Sequence, residues 1–243
     1  MAGKVQGPRR FKLALLFLAA GIGCNFLAGV GCNLLALPFM LIGPGPEGER
    51  TPPEYAFYTK ATQEKHKRDI TLVVLPYHSR SVPIEFNGAD LKLANFFVKH
   101  LTQKFADNGE SVKIIPIYEV EKFKHDHPEW KTMGPKAIGE FFKADYVLDM
   151  ELAALTLMDK QSRQPFLLGN VRVELQLLDV DSKEGEQPLT KEFTRKFPQL
   201  GARPVDLDTS KDSFQQEFFQ HVAVEMSWWL TGHTFQENKS TDD

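Results

Sequence analysis

The sequence predicts an α/β fold, a sandwich of helices packed on a mixed sheet in the order β-α-β-α-β-β-β-α. Three patterns carry that prediction. "DITLVVLPY" (69–77) is an unbroken β-branched and aliphatic run, residues 89–108 repeat their apolar positions every three or four residues, and from 145 onward the repeat drops to two.

The first run, bounded by charge before it and Pro76 near its end, reads as a buried strand. In the next segment Leu91, Ala94, Phe97, Val98, Leu101 and Phe105 form one helical stripe. Asn87 or Asp90 can cap its start, and Asn108-Gly109 supplies a left-handed stop. "SVKIIPIYEV" (111–120) is expected to be a second strand turning at Pro116, parallel to the first because a helix separates them. "GPKAIGEFFKA" (134–144) is expected to be helical with Ile138, Phe141 and Phe142 inward. Alternation then places Tyr146, Leu148, Met150 and Leu152 on one face, and Val147, Asp149 and Glu151 on the other. In the answering strand Val171, Val173, Leu175 and Leu177 point in, and Arg172, Glu174 and Gln176 point out. "LTKEFTRKF" adds a third antiparallel member. A closing helix puts Phe218, Val222 and Trp229 on one face, with Phe214 and Met226 beside it, and ends at Gly232. The domains read as 1–42 anchor, 43–68 Pro/Gly-rich then polar linker, 69–232 α/β domain and 233–243 polar tail.

The 243 residues carry a formal charge of −3, unevenly spread. Lys4, Arg9, Arg10 and Lys12 precede every acid, which leaves 25 of the 29 bases for the rest of the chain against all 32 acids. A mildly acidic body argues against nucleic acid as a partner. The basic start followed by "LALLFLAAGIG" has the layout of a bacterial secretory signal. "GIGCN" (21–25) returns as "GVGCN" (29–33) and holds both cysteines of the chain, Cys24 and Cys32. Each follows a small residue, as in the lipobox of bacterial lipoproteins, where the cysteine receives a diacylglycerol anchor. Gly21 and Gly29 stand where that motif usually has Leu. The other reading is a transmembrane helix, because no charge occurs from Leu13 to Ile42 and roughly 20 such residues span a bilayer. Either way the membrane is a partner, and positive residues before the span send the body outward, to the periplasm or exterior.

No phosphate loop, Gly-x-Ser-x-Gly elbow or HExxH motif occurs, and no cofactor or metal is expected. "KHDHPEW" (124–130) places His125, Asp126 and His127 together, but it reads as a solvated polar loop. His78 follows the first strand, where α/β folds often hold ligands. Asp149 and Glu151 share a strand face with Arg172 and Glu174 expected across the hairpin, the pattern of cross-strand charge pairs on a wet face. Trp228 and Trp229 are neighbours pointing about 100° apart, so one of them can serve as a contact residue.

"ITLVVLPY", "ADLKLANFFVKHL", "VKIIP", "AIGEFFKADYVLDMEL" and "LLGNVRVELQLLDVDSKEGE" together resemble a group of envelope proteins. The group includes the amino-terminal domain of TolB, the lipoproteins that activate penicillin-binding proteins, and CsgG-type secretion lipoproteins. The likeness spans roughly residues 69–232 and holds no catalytic signature; Asp149 replaces the Gly usual after "yvl". It implies a lipid-anchored, non-enzymatic interaction module of the cell envelope with another envelope protein as partner. The candidate contacts are Asp149, Glu151, Arg172, Glu174 and Trp228, with the loops at 78–88 and 159–166. Two rival readings are a membrane-anchored enzyme or ligand-binding protein using His78 and His125–His127, and an oligomeric structural subunit of an envelope or secretion assembly.

Overall fold

A computed structural model describes residues 50–57, 69–158, 166–183, 185–198 and 210–234. Five strands form one mixed sheet. β2 (Ile70–His78) lies parallel to β3 (Val112–Ile114) on one side and to β4 (Tyr146–Met158) on the other. β4, β5 (Leu167–Asp179) and β6 (Leu189–Phe197) follow as an antiparallel meander, giving the order β3-β2-β4-β5-β6. Their helices are α1 (Ala89–Asp107), α2 (Ile117–Asp126), α3 (Trp130–Phe142) and α4 (Lys211–Thr231). A separate two-residue ribbon pairs β1 (Arg50–Thr51) with β7 (His233–Thr234).

The unbroken apolar run of β2 is explained by burial on both of its faces. Leu72 and Val74 join Leu148, Met150, Val173 and Leu175 under α1 and α4, in a core that also holds Phe97, Phe105, Phe214, Phe218 and Phe219. Val73 and Leu75 join Val147 in a smaller core beneath Val120, Phe123 and Ile138 of α2 and α3. Asp145, almost fully buried, ties the strand starts together. Its carboxylate accepts the Thr71 amide (2.8 Å) and its carbonyl accepts the Val180 amide (2.9 Å).

Several expectations are corrected. The predicted strand 111–120 is a strand only as far as Ile114. Pro116, which has no N–H to give a ladder, sits at the start of α2 instead, and Ile117, Val120 and Phe123 form that helix's buried face. One helix is therefore added to the predicted order, and the "KHDHPEW" segment is a loop only in part: Lys124, His125 and Asp126 close α2, residues 127–129 form a turn, and Trp130 opens α3. α3 begins at Trp130, kinks at Gly134-Pro135, and buries Ile138 while Phe141 stays 54 % exposed and Phe142 is half-buried. In α1 the most buried stripe includes Leu93, with Leu91 and Val98 at its flanks. Its amino-terminal cap is Gly88 with no side-chain bond, so neither Asn87 nor Asp90 caps it. Its end follows the expected stop: Gly109 is left-handed (φ 70°), and the Glu110 amide reaches the Phe105 carbonyl at 2.8 Å.

Within the span read as a linker, residues 50–57 run over the main core. The Tyr55 amide donates to the Trp229 carbonyl (3.1 Å), and the fully buried Phe57 meets Tyr146 and Phe105 edge-on at 4.9 and 5.7 Å. Gly232 permits the crossing. Its φ is 68°, and a Cβ there would sit 2.5 Å from the Thr51 carbonyl oxygen.

Candidate functional site

The second face of the sheet changes character across its width. α2 and α3 pack over β2 and the first residues of β4, where Val73, Leu75 and Val147 face them. Beyond Val147 the side chains on this face are half-buried or exposed. Strand register arranges them in rows. Asp149 lies opposite Gln176, which lies opposite Thr190; Glu151 lies opposite Glu174, which lies opposite Glu192; Arg172 lies opposite Thr194, and Asn170 opposite Lys196. Tyr77 of β2 continues the glutamate row on its other side.

The expected charge pairing is therefore corrected. Glu151 faces Glu174, while Arg172 is paired in register with Ala154 because a bulge between Leu152 and Ala154 shifts the alignment. Arg172 does approach Glu174, at 4.0 Å, but along the same strand. Three like charges in one cross-strand row each cost a few tenths of a kcal/mol, up to about 1. The basic residues Lys191 and Arg195 alternate out of this row and pair instead with Glu54 and Glu225. The face is thus polarised, with Asp149, Glu151, Glu174 and Glu192 in two adjacent rows and Arg172 and Lys196 beyond them.

Aromatic and basic groups wall the acidic end. The Tyr77 hydroxyl donates to Glu151 Oε2 (3.3 Å), and its ring meets Trp130 edge-on at 6.1 Å. Burial, with Asp149, Glu151 and Glu174 adding to it, pushes the Tyr77 hydroxyl pKa upward. Lys124 of α2 lies over the Trp130 ring (4.9 Å) and donates to Glu121 (2.7 Å) and to the Pro76 carbonyl. Lys131 lies over Tyr77 and Trp130 at 5.8 and 5.4 Å. Asp149 sits at the boundary between covered and open sheet. Its Oδ1 is closed off from solvent and accepts no hydrogen bond. Burial first, and the Glu151 charge second, raise its carboxyl pKa to about 6, against the opposing pull of Lys124 and the Met150 amide. Asp149 can hold a proton up to about pH 6, and the row as a whole presents anionic charge to a cation.

The other predicted residues lie elsewhere. Cys24, Cys32 and the loop segment 159–165 are outside the described residues. Among the described residues no helix is long and apolar enough to cross a membrane. Trp228 belongs to α4, on the opposite side of the sheet; its ring stacks on His233 at 4.4 Å, and Trp229 is buried. His78 Nδ1 lies 3.4 Å from the nearly buried Asp90. His127, in the turn after α2, packs on Phe123 (4.8 Å), and among the described residues no three His, Cys, Asp or Glu side chains are placed to hold a metal. The loop at 78–88 carries a 3-10 turn whose Ile84 is 93 % exposed. Tyr77, Lys124, Trp130 and Glu192 were missing from the sequence prediction. For Glu192 the alternation of "LTKEFTRKF" was sufficient signal, since it shares parity with Thr190 and Thr194.

No known protein family matches this chain, and no curated protein matches it in sequence. Several solved structures are similar to it in part. A lipoprotein from Neisseria meningitidis is 12 % identical, covering 66 % of this chain and 99 % of that one, with a TM-score of 0.42. The PelC dodecamer from Paraburkholderia phytofirmans is 16 % identical, covering 73 % and 93 %, at 0.34. The LpoB carboxy-terminal domain from Salmonella enterica is 15 % identical, covering 52 % and 82 %, at 0.32. At these identities and TM-scores the likeness carries no functional argument.

Proposed function

We propose that this chain is a lipid-anchored, non-catalytic interaction module of the bacterial cell envelope, whose uncovered sheet face docks a basic segment of another envelope protein. The observation that carries the reading is the glutamate row. A sheet stabilised only for its own sake gains nothing from Glu151, Glu174 and Glu192 placed opposite one another, with Lys191 and Arg195 of β6 turned to the other face. A cationic partner segment would turn that cost into attraction and would speed encounter. Export and anchoring rest on the basic start, the apolar run and the repeated Gly-Cys-Asn phrase.

Two measurements test this. Palmitate labelling of the native chain, Cys24→Ser, Cys32→Ser and the double variant should show label that disappears with one cysteine; no label in any of them removes the lipid anchor. A photo-cross-linking residue at Gln176 or Thr194 should give one discrete adduct in cells, and the same residue at Glu217 on α4 should give none. Glu174→Lys with Glu192→Lys should abolish the adduct. An adduct that survives both charge reversals would refute docking through the row, and one at twice the chain's own mass would make this face a self-assembly surface.

A further inference from the structure

We propose that Asp149 is a proton-operated latch: its protonation seats α2 and α3 against the sheet, and its ionisation loosens them. The inference does not rest on the docking reading. It rests on where Asp149 stands, one turn of the strand pleat beyond Val147, at the edge of the small core that holds both helices down.

Among the described residues, these charged and titratable groups stand on the elements packed around this position. From β4 comes Glu151, from β5 Glu174, and from β2 the Tyr77 hydroxyl, itself bonded to Glu151. From α2 come Lys124 and Glu121, and from α3 Lys131. Lys124 is the cation closest in effect, yet its donors go to Glu121 and the Pro76 carbonyl and its charge lies over Trp130. Lys131 is likewise drawn to the two aromatic rings. An ionised Asp149 therefore keeps an oxygen that neither water nor any donor reaches, beside a second carboxylate. Protonated, it loses the repulsion from Glu151 and no longer buries a charge. Lifting α2 and α3 returns the carboxyl to water, so the ionised form favours the lifted state and the protonated form the seated one.

The test is amide hydrogen exchange of the full chain in neutral detergent, corrected for intrinsic rates, at pH 7.5 and pH 5. With the seated carboxyl titrating at about 6, protection of residues 117–142 should rise by about tenfold at the lower pH. The amides of α1 should change less. Asp149→Asn, a shape match for the protonated acid, should hold the high protection at both pH values. Glu151→Gln should keep the transition and move its midpoint down. Equal protection of 117–142 at both pH values in the native chain, an unchanged pH response in Asp149→Asn, or an unmoved midpoint in Glu151→Gln would each overturn the latch.

Discussion

On one face of the sheet Leu72, Val74, Leu148, Met150, Val173 and Leu175 all disappear beneath α1 and α4. On the other, the series Val73, Leu75, Val147 gives way within two residues of β4 to Asp149 and Glu151, and stays polar across β5 and β6. The same strands thus serve two purposes. The first face holds the fold together by continuous burial. The second is held by two short helices over part of its width, and the remainder carries like charges in register that cost the fold instead of holding it.

The largest effect that sharpens this contrast is truncation in the two cores. Phe218→Ala, on the α4 side, should cost about 3–5 kcal/mol in urea unfolding, because the ring is fully buried and stands against Gly169 with no room for a Cβ between them. Ile138→Ala, on the buried side of α3, should cost about 2–4 kcal/mol, with a steeper loss of protection in α2 and α3 than in α1. If both substitutions lowered protection everywhere alike, the two faces would be one cooperative unit and the contrast would fail.

Next in size is the response of Asp149 to pH. Its carboxyl titrates at about 6 in the folded chain, above the ordinary 3.8. The folded state therefore binds more protons than the unfolded one between those values, and stability falls as pH rises through them. The penalty is absent below about pH 4 and complete above about pH 7, where it amounts to about 1–3 kcal/mol. Asp149→Asn should be more stable than the native chain by that amount at pH 8 and indistinguishable from it near pH 4. A native-like pH slope in this variant would mean that the boundary carboxyl is paired in solution.

How much of this the residues announced depends on which physical signal each element carries. β2, β4, β5 and α4 were legible because burial on one or both faces writes a period into the sequence. α2 was misread because Ile117, Val120 and Phe123 fall inside a run that also satisfies a strand, and only Pro116 marks where the ladder stops. The inward and outward residues of β4 and β5 were assigned correctly from alternation, yet their pairing was not. Alternation fixes the face of a residue, whereas the bulge after Leu152 fixes its neighbour, and nothing in the sequence marks that bulge. The carboxyl perturbation of Asp149 was out of reach for the same reason: it arises from α2 and α3 closing over one side of the residue.

The smallest effect separates the two purposes of the open face most cleanly. Glu192→Gln removes one charge from the row at an exposed position of the edge strand, where the Thr194 hydroxyl donates to its carboxylate at 3.4 Å. Relief of one like-charge contact should raise stability by about 0.5 kcal/mol or less. That is near the resolution of urea unfolding, so a thermal shift at low salt is the measurement, with the gain shrinking as salt screens the row. Under the docking reading, the same substitution should weaken the cross-linked adduct at Thr194. A residue whose removal steadies the fold while weakening the contact is serving the partner. A loss of stability on removal would instead make Glu192 part of what holds β6 to the sheet, and the row would no longer mark a docking face.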